Sequence, residues 1–303
     1  MNRIPGYIAL YQSGELQDRI ANLEQMLQPC CLCPRQCLVD RKDGKLGVCR
    51  APYELIVSSA FPHFGEEPPL VGFHGSGTIF LSHCNLRCVF CQNYELSHLG
   101  EGRRVSTEQL AAMMIQLQNL GCHNINFVTP THYTAQIIAA LPKGIELGLK
   151  IPLVYNCGGY ESVETLRLLE GIIDIYMPDL KYSDAATAER YSNAPDYFEI
   201  AKAAVAEMHR QVGVLQLDAQ GIAVRGLLIR HLVMPNHVAG SKEILQFIAQ
   251  ELSSDNYVNI MEQYRPCYKA VDFPEINRRI TPKEYDEAIR WAVDLGLHRG
   301  LYY

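Results

Sequence analysis

The sequence contains no apolar run that approaches the ~20 residues a helix needs to cross a bilayer. It also contains no internal repeat and no low-complexity segment. There is no basic excess, because the formal net charge of the 303 residues is −6 at pH 7. Nonspecific nucleic-acid binding depends on a positive surface, so we expect neither nucleic acid nor membrane as a partner. A hydrophobic content of 48% predicts an ordinary globular core.

The beginning of the sequence does not resemble a secretory signal, since Pro5 and Gly6 interrupt it and no cleavage pattern follows. We therefore expect a cytoplasmic protein, in a compartment where thiols stay reduced. In that setting 11 cysteines indicate metal or redox chemistry and not a disulfide framework. Five of them lie within residues 30–49 and three within residues 84–91, whereas Cys122, Cys157 and Cys267 are isolated.

The most compact group is a C-x3-C-x2-C triplet, formed by Cys84, Cys88 and Cys91. Three thiolates this close together can ligate three irons of a cubane cluster, whereas closed iron–sulfur sites normally take four cysteines. The fourth iron is then open, and an open metal position is where a small molecule can bind. The triplet therefore predicts an open [4Fe-4S] site. The alternative is a zinc or electron-transfer site with a distant fourth ligand.

Hydrophobic periodicity predicts a chain in which strands and helices alternate after residue 75. Ser106 and Gln109 form a capping box at the start of one helix, and Thr281 caps the last helix. The expected strands are 78–81, 124–128, 152–155, 172–177, 214–217, 222–233 and 257–261. The expected helices are 14–27, 106–120, 133–141, 162–169, 185–191, 197–211, 242–252 and 282–295.

This alternation indicates a parallel sheet, and five or six such units predict a complete or partial barrel. We predict an α/β fold with such a barrel over residues 76–303. A helix and a cysteine-rich metal-binding extension are expected over residues 1–75. In such barrels the site is built by loops at the C-terminal ends of the strands. Most of the polar residues discussed below fall at those ends.

The triplet also carries a family resemblance. An aromatic residue before the last cysteine, here Phe90, is characteristic of the radical S-adenosylmethionine (SAM) superfamily, which the chain resembles over residues 28–295. The segments 75–80 and 91–93, together with the cysteine spacing in 30–49, are similar to the group described as pyruvate formate-lyase activating enzyme-related. The resemblance implies a partial (β/α)6-type TIM barrel of the radical SAM kind and a [4Fe-4S] cluster.

In that superfamily the amino and carboxylate groups of SAM chelate the fourth iron, and an electron from the cluster yields a 5′-deoxyadenosyl radical. The resemblance therefore implies an enzyme with SAM as cofactor and a low-potential electron donor of the flavodoxin or ferredoxin type. It does not identify the substrate, which could be a protein, a peptide or a small molecule. A glycyl-radical enzyme activase is one alternative, and a noncatalytic iron–sulfur carrier is another.

Five further positions receive a role from the resemblance. Thr129 lies where these enzymes carry a Gly-Gly-Glu segment that contacts SAM, although this chain lacks that segment. Asn156 replaces an aspartate that helps glycyl-radical activases bind a monovalent cation. Asp179 and Lys181 match a DLK segment and would hold SAM or an adjacent cation, the alternative being an exposed ion pair at a strand end. As alternate residues they share one face. Arg230 matches an arginine that contacts SAM, and an arginine in an apolar strand needs a partner.

Other residues at the strand ends are considered on position alone. His132 could be an acid or base on the substrate side or a helix-start residue, and we expect it near the site. We expect Cys157 as a packed residue more than as a cluster ligand. A late group is expected to face the substrate, and it consists of Glu262, Gln263, Tyr264 and Arg265.

The N-terminal cysteines predict a second metal site. The four that can close a zinc site or a second [4Fe-4S] cluster are Cys30, Cys33, Cys37 and Cys49. Cys31 is then spare. The sequence alone does not decide between the two metals.

Overall fold

The computed structural model describes residues 4–301, in which nine strands form one sheet. In chain order the strands are β1 (Leu55–His63), β2 (Ser76–Leu81), β3 (Arg103–Val105), β4 (Ile125–Val128), β5 (Leu153–Cys157), β6 (Ile175–Leu180), β7 (Gln216–Leu217), β8 (Ala223–Leu232) and β9 (Tyr257–Met261).

Six of these strands form a parallel wall in the order β2, β4, β5, β6, β8 and β9. Among the described residues β9 pairs with β8 and not with β2, so the wall is a partial barrel. On the other side of β2 the sheet continues with β1 and β3, both antiparallel to their neighbours. The short β7 pairs antiparallel with β8, as the predicted strand pair requires. The predicted α/β partial barrel is confirmed.

Two helices precede the first strand, one follows the last, and the others lie between strands in sequence. Most of them share the main core with the wall. They are α1 (Gly6–Ser13), α2 (Glu15–Gln25), α3 (Pro68–Val71), α4 (Tyr94–Ser97), α5 (Thr107–Asn119), α6 (Thr134–Glu146), α7 (Val163–Leu168), α8 (Ala185–Ser192), α9 (Tyr197–Val212), α10 (Ser241–Phe247) and α11 (Pro282–Asp294).

Alternate residues of the wall strands face two different cores, because successive side chains of a strand point to opposite faces. Ile125 and Phe127 of β4 belong to the main core, which the helices share. Val154 of β5 and Met177 of β6 belong to a smaller cluster inside the barrel. Polar residues further along the same interior faces therefore point toward the mouth of the barrel.

The barrel interior is closed from below by α3, which precedes β2. Its Leu70 is fully buried in the interior cluster. Glu67, at the start of the helix, accepts a hydrogen bond from Asn259 Nδ2 of β9 at 2.9 Å. The sequence did not predict this segment, because residues 64–75 are rich in proline and glycine and carry no periodic pattern.

Several elements differ from their predicted bounds. The strand expected over 172–177 lies at 175–180, so that Asp179 is part of β6 and not of the loop after it. The helix expected over 133–141 continues through Pro142 to Glu146. The proline removes one amide donor from the helix, but buried residues on both sides of it hold the two turns in place. The helix expected over 242–252 changes to a π-helical turn at Ile248–Leu252.

Strand β1 and helix α1 were not predicted. β1 contains polar residues and Pro62, and its pairing with β2 and β3 is non-local, so its own sequence carries little signal. β1 lies before residue 76 but extends the same sheet, and Leu16 and Leu23 of α2 join the main core. The domain division after residue 75 stays a prediction. Within residues 4–301 no helix is both long enough and apolar enough to cross a membrane.

Truncation of Leu70 tests whether α3 closes the barrel. Leu70→Ala should lower the free energy of unfolding by ~2–5 kcal/mol, because it empties a fully buried position. Urea unfolding of the purified protein measures this loss. The matched control Leu120→Ala changes a side chain that is 55% exposed, and we expect less than ~0.5 kcal/mol there. Equal losses in the two variants would contradict the packing described for α3.

Candidate functional site

The cysteine triplet lies in a tight loop at the mouth of the barrel, directly after β2. His83 and Arg87 of this loop have positive φ angles of 73° and 54°, which fold it back on itself. The backbone N–H of Leu86 donates a hydrogen bond to Cys84 Sγ at 3.4 Å. Because the wall strands are parallel, the loop shares one rim with the C-terminal ends of β4, β5, β6 and β8.

Two serine hydroxyls donate hydrogen bonds to the sulfurs of the triplet. Ser97 Oγ donates to Cys91 Sγ at 3.2 Å, and Ser192 Oγ donates to Cys88 Sγ at 3.0 Å. Burial, together with the neighbouring Cys88, raises the pKa of the Cys84 thiol to about 12. Burial thus disfavours the negatively charged thiolate. Metal ions bind that form, and the positive charge of a bound metal would stabilise it.

A cavity of about 200 Å³ at the mouth brings most of the predicted site residues together. The predicted residues in its lining are Cys84, Cys88, Phe90, Cys91, Thr129, Asn156, Cys157, Asp179, Lys181, Arg230, Gln263, Tyr264 and Arg265. Gln92, Asn93 and Met261 also line the cavity but were not predicted. Glu262 of the late group does not line it.

Asp179 joins two cations across the floor of the cavity. Its Oδ1 accepts a hydrogen bond from Arg230 Nε, and its Oδ2 accepts one from Lys181 Nζ, both at 2.7 Å. Asp179 and Arg230 are register partners in β6 and β8, which explains the close fit. Although burial acts in the opposite direction, the charges of Arg230 and Lys181 hold the pKa of Asp179 at about 2. Asp179 is therefore ionised at neutral pH.

Arg230 is fixed by further partners from the barrel interior. Its Nη2 donates to Asn156 Oδ1 at 2.8 Å, and its Nη1 donates to Glu66 Oε2 at 3.4 Å. Glu67 Oε1 lies 3.9 Å from Arg230 Nε. Neither glutamate was predicted from the sequence, because both precede β2 and reach the site from below. No motif or periodicity marks them, and only the packing of α3 brings them to Arg230.

The charges below the cavity are unevenly matched, with three carboxylates around two cations. Burial raises the pKa of Glu66 to about 7, although the charge of Arg230 acts in the opposite direction and that of Glu67 in the same one. Asp179 keeps its negative charge while Glu66 can hold a proton near neutral pH. The floor of the cavity therefore contains a carboxyl group that can change its charge.

Thr129 and Phe90 shape the cavity in different ways. Thr129 has a φ of +60°, a conformation that costs energy in a β-branched residue, and its N–H donates to the carbonyl of Asn156 at 2.8 Å. Phe90 is buried and packs edge-on against Tyr182, Tyr191 and Tyr264. The aromatic residue of the triplet thus anchors the loop on the barrel.

His132 does not lie at the cavity, contrary to the expected role as an acid or base there. It is 2% exposed, and its ring Nε2 pairs with the carbonyl oxygen of Ser82 at 2.8 Å. Burial lowers its pKa to about 3, so it is neutral. It lines the pocket of the N-terminal cysteines instead. Cys157 is buried at the end of β5, and burial raises its pKa well above the ordinary value, as expected of a packed thiol.

The predicted second group of cysteines converges on one small pocket, which is lined by Cys30, Cys33, Cys37 and Cys49. Cys31 is outside this lining, and its thiol points to the carbonyl of Met26 at 3.8 Å. Backbone N–H groups of Val48 and Ala51 reach the sulfurs of Cys37 and Cys49 at 3.3 and 3.5 Å. A Cβ on Gly47 would lie 2.8 Å from Cys37 Sγ, so the turn requires glycine.

The same pocket contains a buried cation without a carboxylate partner. Arg41 is 1% exposed and donates to the carbonyl oxygens of His132 and Pro52. Within residues 4–301 its Nε has no hydrogen-bond partner, and no acidic side chain forms an ion pair with it. His132 Nδ1 is likewise unmatched. Because an unpaired buried charge is costly, an anionic group in this pocket would fit the residues present.

The spacing of the possible ligands distinguishes a site for a single metal ion from a site for an iron–sulfur cluster. In the part of the chain that the structure describes, no three His, Cys, Asp or Glu side chains group closely enough to hold a single metal ion. A cubane cluster spreads its cysteine sulfurs over several irons and does not require them to meet at one point. The donor set at the mouth, three cysteines on one cavity, fits such a cluster.

Comparison with known proteins identifies the family. The model of the Radical SAM superfamily matches residues 78–218. An uncharacterized protein of Methanocaldococcus jannaschii, MJ0674, is 34% identical, and the match covers 93% of this chain and 80% of that protein. A second protein of the same organism, MJ0808, is 24% identical over 90% of this chain and 79% of its own length. The chain belongs to the radical SAM superfamily.

Solved structures resemble the chain more distantly. Polyhistidine-tagged anSMEcpe with bound AdoMet has a TM-score of 0.46 and 13% identity, over 75% of this chain and 56% of that one. Native anSMEcpe with bound AdoMet has a TM-score of 0.45 and 12% identity, over 75% and 59%. The chain therefore spans a little over half the length of these proteins, and a likeness this low supports no conclusion about the site.

Family membership confirms the predicted barrel of the radical SAM kind. It also implies an enzyme that uses SAM and a [4Fe-4S] cluster. The finer resemblance to the group related to pyruvate formate-lyase activating enzyme stays a prediction.

Replacement of Glu66 tests the charge balance below the cavity. The folded state holds the Glu66 proton up to about pH 7, above its ordinary value of 4.5. The contribution of Glu66 to wild-type stability should therefore be fully present below pH 4.5 and be lost as the pH rises to 7, by ~1.4 kcal/mol per unit of pKa shift. Glu66→Gln cannot ionise, so its melting temperature relative to wild type should rise over this range.

Melting curves at pH 5, 6, 7 and 8 measure this difference. Glu251→Gln, at an exposed glutamate, is the matched control and should follow the wild type. The account of Glu66 fails when the difference between Glu66→Gln and wild type is the same at every pH.

Proposed function

We propose that this enzyme reductively cleaves SAM at a [4Fe-4S] cluster held by Cys84, Cys88 and Cys91, and then abstracts a hydrogen from a substrate. The observation that carries the proposal is that these cysteines share one cavity with Asp179 and its two cations. When bound, the cluster and SAM supply the electron transfer and the 5′-deoxyadenosyl radical. The side chains of this chain bind, orient and shield.

The charged floor is suited to orienting SAM. Asp179 holds Lys181 and Arg230 in fixed positions, from which their remaining N–H groups can meet the carboxylate or ribose of SAM. Asn156 fixes the far end of the Arg230 guanidinium. Thr129 would offer its carbonyl or hydroxyl to the amino group, in place of the missing Gly-Gly-Glu segment. Its left-handed backbone supports such a special role.

The substrate belongs on the side of the cavity formed by the loop after β9. Tyr264 is buried there, while Gln263 and Arg265 are exposed and polar. Such a lining supports a protein, peptide or small-molecule substrate with polar groups. Asn156 in place of an acid, and the lack of a Gly-Gly-Glu segment, make a glycyl-radical enzyme activase the second candidate. A glycyl-radical signal on a partner protein would reverse that order.

We also propose a metal group at Cys30, Cys33, Cys37 and Cys49, either zinc or a second [4Fe-4S] cluster. Zinc would require these sulfurs to come closer together than they lie in this structure, whereas a cluster would not. Four thiolates give both kinds of centre a net negative charge, which Arg41 would partly neutralise. The buried and otherwise unpaired Arg41 supports this proposal. The reduced thiols that both sites need agree with the predicted cytoplasmic location.

Formation of 5′-deoxyadenosine tests the proposed reaction. The protein, reconstituted anaerobically with iron and sulfide, should release this product from SAM when dithionite is added. Loss of a residue that only supports a metal ligand can cost ~100-fold in activity. Cys88→Ala removes a cluster ligand itself, so the amount of 5′-deoxyadenosine formed should fall by more than that. Cys122→Ala, at a buried cysteine outside both pockets, should retain activity. A wild-type protein with an intact cluster and no product would refute the proposal.

Metal analysis tests the second site. In the double variant Cys33→Ala/Cys37→Ala, a second cluster predicts a loss of about four irons per chain. A zinc site predicts a loss of about one zinc. Cys31→Ala is the control and should lose neither, because its sulfur lies outside the pocket. Unchanged iron and zinc in the double variant would show that these cysteines hold no metal.

A further inference from the structure

A groove lies on the opposite side of the cysteine loop from the SAM cavity. Cys88, Phe90 and Cys91 line the cavity, Arg87 and Val89 line the groove, and Leu86 lines both. The loop is therefore a thin wall with two different faces. A molecule in the groove would approach the cluster without entering the SAM cavity.

Positive charge is concentrated in this groove. Its charged lining consists of one carboxylate, Glu189, and four guanidinium groups, those of Arg35, Arg50, Arg87 and Arg190. This contrasts with a net charge of −6 for the whole chain. The groove is therefore a local basic patch on an acidic protein.

Two of these arginines present exposed side chains to a partner. Arg50 is exposed and forms no ion pair with an acidic side chain of residues 4–301. Arg190 contacts Glu275 at 2.6 Å, but its side chain is 55% exposed. Leu46 and Val48 of the same lining are 48% and 42% exposed. Exposed arginines beside apolar side chains are typical of protein interfaces.

The groove wall contacts the cluster ligands directly. Ser192 lines the groove and donates its hydroxyl hydrogen bond to Cys88 Sγ at 3.0 Å. The N–H of Val89 donates to the carbonyl of Tyr191 at 2.9 Å, which joins the loop to the opposite wall. Arg35 and Gly47 line both the groove and the pocket of the N-terminal cysteines. The groove thus borders both proposed metal sites.

We propose that this groove docks an acidic, low-potential electron-transfer protein that reduces the cluster at Cys84, Cys88 and Cys91. The inference rests on the proposed function, because it needs that cluster. One electron leaves the reduced donor and enters the cluster, and no bond or proton changes place. Complementary charge would steer the donor to the groove and speed its association. A long polyanion such as nucleic acid would also meet the negative remainder of the surface, which disfavours it.

The double variant Arg50→Glu/Arg190→Glu tests this docking site, with a reduced acidic flavodoxin as the probe. At low ionic strength, the second-order rate of cluster reduction should fall at least ~10-fold relative to wild type, because the steering charge is reversed. The wild-type rate should also fall steeply with added salt, and the rate of the variant should not. Anaerobic stopped-flow absorbance of the cluster measures both rates.

The matched control is Lys143→Glu/Lys150→Glu, which makes the same change in net charge near the N-terminal end of β5. It should be reduced by flavodoxin about as fast as wild type. Dithionite-driven release of 5′-deoxyadenosine should be equal in all three proteins, which shows that the variants are folded. Equal flavodoxin rates in the two double variants would overturn the docking proposal. Failure of the wild-type protein to release 5′-deoxyadenosine with dithionite would instead overturn the proposed function.

Discussion

The site depends on the ion pair between Asp179 and Arg230, which joins the ends of β6 and β8 under the cavity. Asp179 also binds Lys181, so one carboxylate sets the position of two cations. Removing it would leave Arg230 with only the more distant Glu66 and Glu67, and would take from Lys181 the carboxylate it pairs with. An uncompensated buried charge costs several kcal/mol. The pairing therefore makes it possible for a cavity with two positive side chains to exist at the mouth of the barrel.

The rest of the barrel supports this pair from below. Leu70 of α3 fills the interior and brings Glu66 and Glu67 within reach of Arg230. The barrel is open between β9 and β2. Its floor is closed by α3, which precedes the wall in sequence. The cysteine loop covers the opposite end, with Phe90 packed among tyrosines. The proposed cofactor site is thus enclosed by elements from both ends of the barrel.

The sequence predicted the elements whose signal is local. The wall strands, the capping boxes at Ser106 and Thr281, and the rim positions of Asp179 and Arg230 follow from periodicity, caps and resemblance. Glu66, Glu67 and β1 could not be predicted, because only contacts with distant strands give them a place. His132 follows a strand, as the sequence predicts, but its side chain lies toward the N-terminal cysteines. Side-chain direction after a strand depends on packing that one sequence does not show.

The central claim is that the cluster at Cys84, Cys88 and Cys91 keeps one iron open for SAM. The most direct measurement is the EPR spectrum of the reduced cluster with and without SAM, in a protein whose N-terminal cysteines have been replaced. The account predicts that SAM changes the g-values of the reduced cluster, because its amino and carboxylate groups bind the open iron. Identical spectra at saturating SAM would contradict it and would indicate a closed electron-transfer cluster.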